Sequence, residues 1–279
     1  MQSSSSGLAP AIVPASVRAD SEVRASFALT GDATRLRNRF ERGSLRLRTP
    51  RSNGGFEAVL VNTGGGIAGG DRLRVDLSVE AGASLTATSQ AAEKIYRAEH
   101  EPVRIDVRLR LGDAARLDWL PQETIVYDRA SAHRTMSVEV AGSARLTMLE
   151  ILILGRLAHG ENVRQADWHD RWRIRRDDRL IFADDVRLTG CVSQTMQRPA
   201  VGDGARCIAT LVHVAPDAER RIGEIRERLA TARCTAAASA FDGMVIARFI
   251  GRNPALVRTD AISVAMTASG APMPRAWSC

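Results

Sequence analysis

Asn62-Thr63-Gly64-Gly65-Gly66-Ile67-Ala68-Gly69-Gly70-Asp71 decides how this chain reads: five glycines crowd into seven residues and one carboxylate closes the run. Phe56 to Val61, just before it, is mostly apolar. After it, Leu73, Val75, Leu77 and Val79 alternate with Arg72, Arg74, Asp76 and Ser78. A period of two sends successive side chains to opposite faces, the pattern of a half-buried strand. The glycine run therefore joins two strands. A literal Gly-x-Gly-x-x-Gly lies inside it at Gly64, Gly66 and Gly69. A dinucleotide site needs that pattern to open a helix, whose first N–H groups hold the pyrophosphate. A strand in that place argues against such an enzyme, and the absence of Gly-Lys-Ser/Thr argues against a P-loop. The plain use of these glycines is positive φ or close backbone approach at a sharp turn. Asp71 is then either a turn-stabilising acid or a functional one.

Outward from this run, strand follows strand from about Val23 to Val214, with Gly, Asp, Pro or Asn between them. Gly82, Gly112 and Gly142 stand thirty residues apart, and each leads within a few residues to a leucine: Leu85, Leu117 and Leu146. One further step reaches Trp172 to Phe182, which again reads strand, turn, strand. A fixed period of this size predicts stacked layers, each burying its apolar face on its neighbours. The last third differs. Ile222, Ile225 and Leu229 predict an amphipathic helix near 218–232, with Asp217 as its N-cap. A strand pair turns at Asp242-Gly243. Asn253-Pro254 opens a second helix near 254–268, with Val257, Ala261, Val264 and Ala268 along one side. The expected organisation is a Ser-rich disordered tail over residues 1–20 and a single, mainly β domain of stacked sheet layers over 21–279, carrying two C-terminal α-helices.

Composition narrows the function classes. No stretch supplies 18 unbroken apolar residues, so no membrane-spanning helix is expected. The N-terminus lacks a basic segment followed by an apolar one, which predicts a cytoplasmic chain without a secretory signal. Cys191, Cys207, Cys234 and Cys279 form no Cys-x-x-Cys, and they read as reduced thiols, with Cys191 and Cys207 as small core residues. The net charge of +7 invites nucleic acid as a partner. Yet Arg104, Arg108 and Arg110 alternate with Val103, Val107 and Leu109, which reads as a solvated strand face, and few aromatics interleave for base stacking. Nucleic acid is therefore not expected.

Four blocks carry a resemblance. They are Gly64-Gly65-Gly66-Ile67-Ala68-Gly69-Gly70-Asp71-Arg72-Leu73; Gln90-Ala91-Ala92-Glu93-Lys94-Ile95-Tyr96-Arg97; Trp119 to Asp128; and Leu154-Gly155-Arg156 with Gly160-Glu161. Together with the closing Pro274-Arg275-Ala276-Trp277, and over about residues 45 to 277, the chain resembles the UreD (UreH) family of urease accessory proteins. It departs from that pattern at Thr63, where the family often has Pro, and at Arg129, where Tyr127-Asp128-Arg129-Ala130 stands for Phe-Asp-Gly-Ala. The resemblance implies a largely β fold of stacked sheets in a helicoidal arrangement. It also implies a non-enzymatic scaffold that binds the urease apoprotein. With a UreF-like accessory protein and a UreG-like GTPase, such a scaffold delivers Ni²⁺ to the dinuclear urease site along a polar internal channel. No tightly bound cofactor is implied, only Ni²⁺ in transit.

An ion in transit needs exchangeable ligands, and carboxylates with water suit this better than a thiolate cage. Asp71, Glu123, Asp128 and Glu150 lie inside the matched blocks, and Glu161 follows Gly160. These five acids are the candidate nickel path. Glu150 interrupts Leu146-Thr147-Met148-Leu149-Glu150-Ile151-Leu152-Ile153-Leu154, the most apolar strand of the chain. It points either inward, to a channel, or out from an exposed face. Glu123 and Asp128 read more simply as surface loop acids. Arg97 and Arg156 read as ion-pair partners for these acids. The two C-terminal helices either pack on the sheet or dock the UreF-like partner.

Overall fold

A computed structural model describes residues 18–51 and 55–278. The expected N-terminal tail lies, as far as residue 17, outside the described residues. In chain order the first strands are β1 (Asp20–Thr30), β2 (Ala33–Arg42), β3 (Leu45–Arg48), β4 (Glu57–Asn62), β5 (Arg72–Val79), β6 (Ser84–Ser89), β7 (Glu93–Ile95), β8 (Val103–Leu111) and β9 (Arg116–Leu120). After these come β10 (Thr124–Val126), β11 (Ser131–Val140), β12 (Arg145–Leu154), β13 (Ala166–Arg176), β14 (Arg179–Gly190), β15 (Cys207–Val214), β16 (Thr235–Phe241) and β17 (Met244–Gly251). The helices are α1 (Val192–Gln197), α2 (Ile222–Ala230) and α3 (Pro254–Ser269).

The strands form two sheets. One has seven strands in the order β14-β13-β11-β8-β5-β1-β2. The other runs β16-β17-β15-β12-β9-β6-β4-β3, with β10 and β7 paired beside β12. From β4 to β13 the chain crosses repeatedly between them, so each pair of long strands makes one coil of a β-solenoid. The glycine run is the first of these crossings, from β4 in one sheet to β5 in the other.

The thirty-residue echo is the length of one coil. Parallel pairing stacks equivalent residues into columns: Val23, Val75, Val107, Met136 and Trp172 face inward in one sheet. Leu85, Leu117 and Leu146 do so in the other, and antiparallel β15 adds Val214 beside Leu146. All nine are buried. The turns at Gly82, Gly112 and Gly142 are stacked corners, where Arg116 N–H donates to Ala83 O at 2.9 Å and Arg145 N–H to Ala115 O at 2.8 Å. The fourth step ends the solenoid. Asp177 and Asp178 adopt positive φ, and β14 folds back antiparallel on β13 within the same sheet.

The ten-stranded sheet is covered on both faces, by the other sheet and by helices. The predicted stripe of α3, Val257, Ala261, Val264 and Ala268, is buried against Leu149, Ile151, Leu211 and Phe249. It is therefore a packing face, which explains why β12 is apolar on both sides. Asn253 caps α3 as expected, its Oδ1 accepting from Ala255 N–H at 3.0 Å. Asp217 stands at the N-cap of the 3-10 helix that leads into α2, as expected, but its carboxylate makes no capping bond, being drawn away by Arg145 Nη1 at 2.6 Å. Cys207 is buried, but Cys191 is exposed, because it lies just past the end of edge strand β14. Arg104, Arg108 and Arg110 lie exposed on the outer face of β8, where Arg110 pairs with Asp76 at 2.6 Å.

Candidate functional site

Three charged residues occupy inward positions that alternation reserves for apolar ones. On β12, Leu146, Met148, Leu152 and Leu154 face the inter-sheet core, and Glu150 shares their parity. On β11, Arg134 falls in line with Ala132, Met136 and Val138. On β13, Asp170 falls in line with Trp168, Trp172 and Ile174. Parallel register sets Arg134 directly opposite Asp170.

The three form one cluster. Arg134 grips Asp170 with two bonds, Nε to Oδ1 at 2.9 Å and Nη2 to Oδ2 at 2.5 Å. Its remaining arm, Nη1, reaches Glu150 Oε2 across the layers at 2.5 Å. Trp119 Nε1–H donates to Glu150 Oε1 at 2.7 Å. Exposure is only 8% for Arg134, 7% for Asp170 and 6% for Glu150. Charges buried this deeply persist only when paired and hydrogen-bonded. Burial alone would lower the Arg134 pKa, but Asp170 and Glu150 together raise it above its usual value. For Glu150, burial pushes the pKa up and Arg134 opposes the rise. With both carboxylates ionised, the cluster keeps one uncompensated negative charge.

Arg134, Glu150 and Trp119 line a cavity of about 180 Å³ between the sheets. At about 30 Å³ per water it has room for roughly six. Glu93 on β7 lines it too, both carboxylate oxygens accepting from Asn62 Nδ2 at 3.1 and 3.2 Å. Burial pushes the Glu93 carboxyl up to about 7, against the pull of Asn62. Asn62 Oδ1 in turn accepts from Gly64 N–H at 3.0 Å, so the glycine run belongs to the cavity wall. A Cβ on Gly66 would stand 2.4 Å from Tyr96 Cε2, and one on Gly69 would stand 2.6 Å from Ala98 Cβ. Close approach therefore demands these glycines. The run leads into strand β5, so no helix N-terminus is offered to a dinucleotide.

Comparison with known proteins places this architecture. The family model described as UreD urease accessory protein matches residues 19–278. The chain belongs to the UreD family of urease accessory proteins. A urease accessory protein UreD of Xanthobacter autotrophicus is 45% identical over 261 residues, covering 94% of this chain and 90% of its own length. One from a Methylobacterium species is 45% identical over 255 residues, covering 89% and 90%. One from a Bradyrhizobium species is 41% identical over 261 residues, covering 93% and 94%.

Of the five acids that the UreD resemblance nominated, Glu150 alone lines the cavity. Asp71 is a turn acid, accepting from Ala19 N–H at 2.9 Å and Ala68 N–H at 2.8 Å. Glu123 pairs with Arg258 of α3 at 2.7 Å. Asp128 accepts from Arg164 N–H at 2.7 Å and Gln165 N–H at 3.0 Å. Glu161 holds Arg156 Nε at 2.9 Å, as its place in the block suggested. Partial burial works against its ionisation, but hydrogen bonds from Arg156 and Asp128 keep its pKa below the usual value. Arg97 pairs instead with its exposed neighbour Glu99 at 3.3 Å. Sequence reading overlooked Arg134, Asp170 and Glu93. For Arg134 and Asp170 the signal was present: each is a charge on the apolar parity of its strand.

Arg129, where the UreD pattern usually has glycine, keeps the left-handed backbone glycine would supply, at φ +62°. The loop holds it there through Arg129 N–H to Gln165 O at 2.8 Å and Ala98 N–H to Arg129 O at 3.0 Å. A non-glycine residue in this region costs about 1–2 kcal/mol, offset in part by the entropy glycine loses on folding. Arg129→Gly should therefore stabilise the fold by about 1 kcal/mol. Urea unfolding checks this, and a lowered midpoint would mean that the arginine side chain contributes more than its backbone costs.

Proposed function

We propose that this chain carries Ni²⁺ toward the dinuclear site of urease during maturation of that enzyme, as a scaffold with no catalytic chemistry of its own. In this reading it binds the urease apoprotein and works in the cytosol with a UreF-like protein and a UreG-like GTPase. The observation that carries the reading is the buried Glu150–Arg134–Asp170 cluster, which faces a cavity also lined by Glu93 and Lys94; with all five ionised, three carboxylates outnumber two cations by one. An excess negative charge in a low-dielectric wall attracts a cation. Each carboxylate oxygen has lone pairs beyond those its present donors use. Among the described residues no three His, Cys, Asp or Glu side chains gather into a metal-holding set. A pair of acids with water suits an ion that must leave again.

Urease produced with its other accessory proteins, but without this chain, should carry little nickel and have little activity. Full nickel loading in its absence overturns the reading.

Glu93 adds a pH signature. Its carboxyl titrates near 7 in the native state against 4.5 as the ordinary value. Between those values the native state holds the extra proton, so its contribution to stability falls as pH rises. A divalent cation competes with that proton, so nickel transfer should strengthen as pH rises through about 7. Glu93→Gln should flatten this part of the activation profile. An unchanged profile would show that Glu93 is not on the path.

A further inference from the structure

On the helix-covered face of the ten-stranded sheet, a separate cavity of about 310 Å³ lies at the C-terminal end of α3. At about 30 Å³ per water it has room for roughly ten, ample for one small anion. Arg116, Arg145 and Arg221 line it against Asp118 and Asp217, so its wall carries one net positive charge when all five are ionised.

Existing bonds do not exhaust its donors. Arg116 Nη2 serves Asp118 Oδ2 and Ser269 O, both at 2.9 Å. Arg145 Nη1 serves Asp217 at 2.6 Å, and Arg221 Nη1 serves Thr267 O at 3.1 Å. Arg221 Nε, however, is buried without a partner among the described residues, and so is His213 Nε2. His213 is 3% exposed, and its Nδ1 lies 3.1 Å from Thr147 Oγ1. Burial first, then Arg221 and Arg145, push its pKa down to about 4. The ring is therefore neutral near pH 7. Thr147 also hydrogen-bonds Asp118, whose carboxylate takes its one hydroxyl proton, so Nδ1–H donates to Thr147 and Nε2 is left as an acceptor. Buried polar atoms are seldom left unpaired, and these two share one cationic cavity.

We propose that this cavity binds a phosphate-class oxyanion, held by Arg145 and Arg221, with a P–O–H of its protonated form donating to His213 Nε2. The three groups come from β12, from the turn before α2 and from β15. That spread suits the several oxygens of phosphate better than the two of a carboxylate. A bound anion also offsets the arginine charges that face His213. Arg116 and Asp118 on β9, Arg145 on β12, and Asp217 and Arg221 before α2 are the charged groups around that ring. Binding should therefore raise the His213 pKa and, by linkage, tighten as pH falls toward it.

The test is calorimetric titration of the full chain with inorganic phosphate, followed by histidine NMR with and without the anion. Saturable one-to-one binding and an upward-shifted His213 titration are expected. Arg221→Lys keeps the charge but removes Nε–H, and should weaken binding about tenfold, the scale of one charge-assisted hydrogen bond. Arg145→Gln, at a partly exposed position, should do the same and decides the matter if Arg221→Lys fails to fold. Absence of saturable binding, or unchanged affinity in the folded variants, overturns the proposal. Acetate binding more tightly than phosphate overturns the phosphate class.

Discussion

Arg134→Met should destabilise this protein by about 3–5 kcal/mol, the usual cost of removing one partner from a buried ion pair. Methionine fills much of the same volume, so the loss is electrostatic rather than a cavity effect. The change leaves Glu150 and Asp170, at 6% and 7% exposure, facing each other without the guanidinium that now joins them. Stranded carboxylates escape by taking up protons. The defect should therefore be largest above neutral pH and shrink as the buffer is acidified. Urea unfolding at several pH values reads this directly. A loss below about 1 kcal/mol at pH 8 would mean that water already solvates the cluster, and the case for a buried excess charge would collapse. Replacing all three residues together with apolar ones gives the complementary result. Such replacements are often neutral or stabilising, so that variant should fold well and still fail to mature urease.

The sequence carried the architecture further than the chemistry. Glycines at 82, 112 and 142 mark coil corners, and alternation identifies the faces, because a parallel stack repeats the same inward positions in each layer. The same alternation contained Arg134 and Asp170. Their significance depends on register: only the pairing of β11 with β13 places them opposite each other, and only layer packing brings Glu150 of β12 to meet them. Residues 36 apart in sequence do not announce a bidentate pair. Motif membership pointed to Asp71 for a different reason. Its conspicuous place at the end of the glycine run reflects two backbone N–H groups that need an acceptor. At Asp217 position and bond part company: the residue sits at the N-cap, but a nearby arginine claims its carboxylate.

Glu150→Gln should lower urease activation about ten- to hundredfold, the range seen when groups that tune a metal site are altered, while leaving the protein folded. Glutamine retains an oxygen for Trp119 Nε1–H, now at 2.7 Å from Glu150 Oε1. Arg134 keeps its two bonds to Asp170. The change removes the surplus charge and, with it, the bond from Arg134 Nη1 to Oε2, where an amide NH2 now faces the guanidinium, and it leaves a neutral Arg134–Asp170 pair. Stability should fall less than in Arg134→Met, which strands two carboxylates, because here Arg134 stays paired with Asp170, and capture of urease subunits should be unchanged. Asp71→Asn is the contrasting control. It weakens the acceptor for Ala19 and Ala68 N–H, so its defect should appear in thermal unfolding before it appears in nickel loading. If Glu150→Gln activates urease normally while Asp71→Asn does not, the inter-sheet cluster is a structural ion network and the ion travels by another route. If the order is as argued, one uncompensated carboxylate in the solenoid interior separates a route for nickel from an ordinary β core.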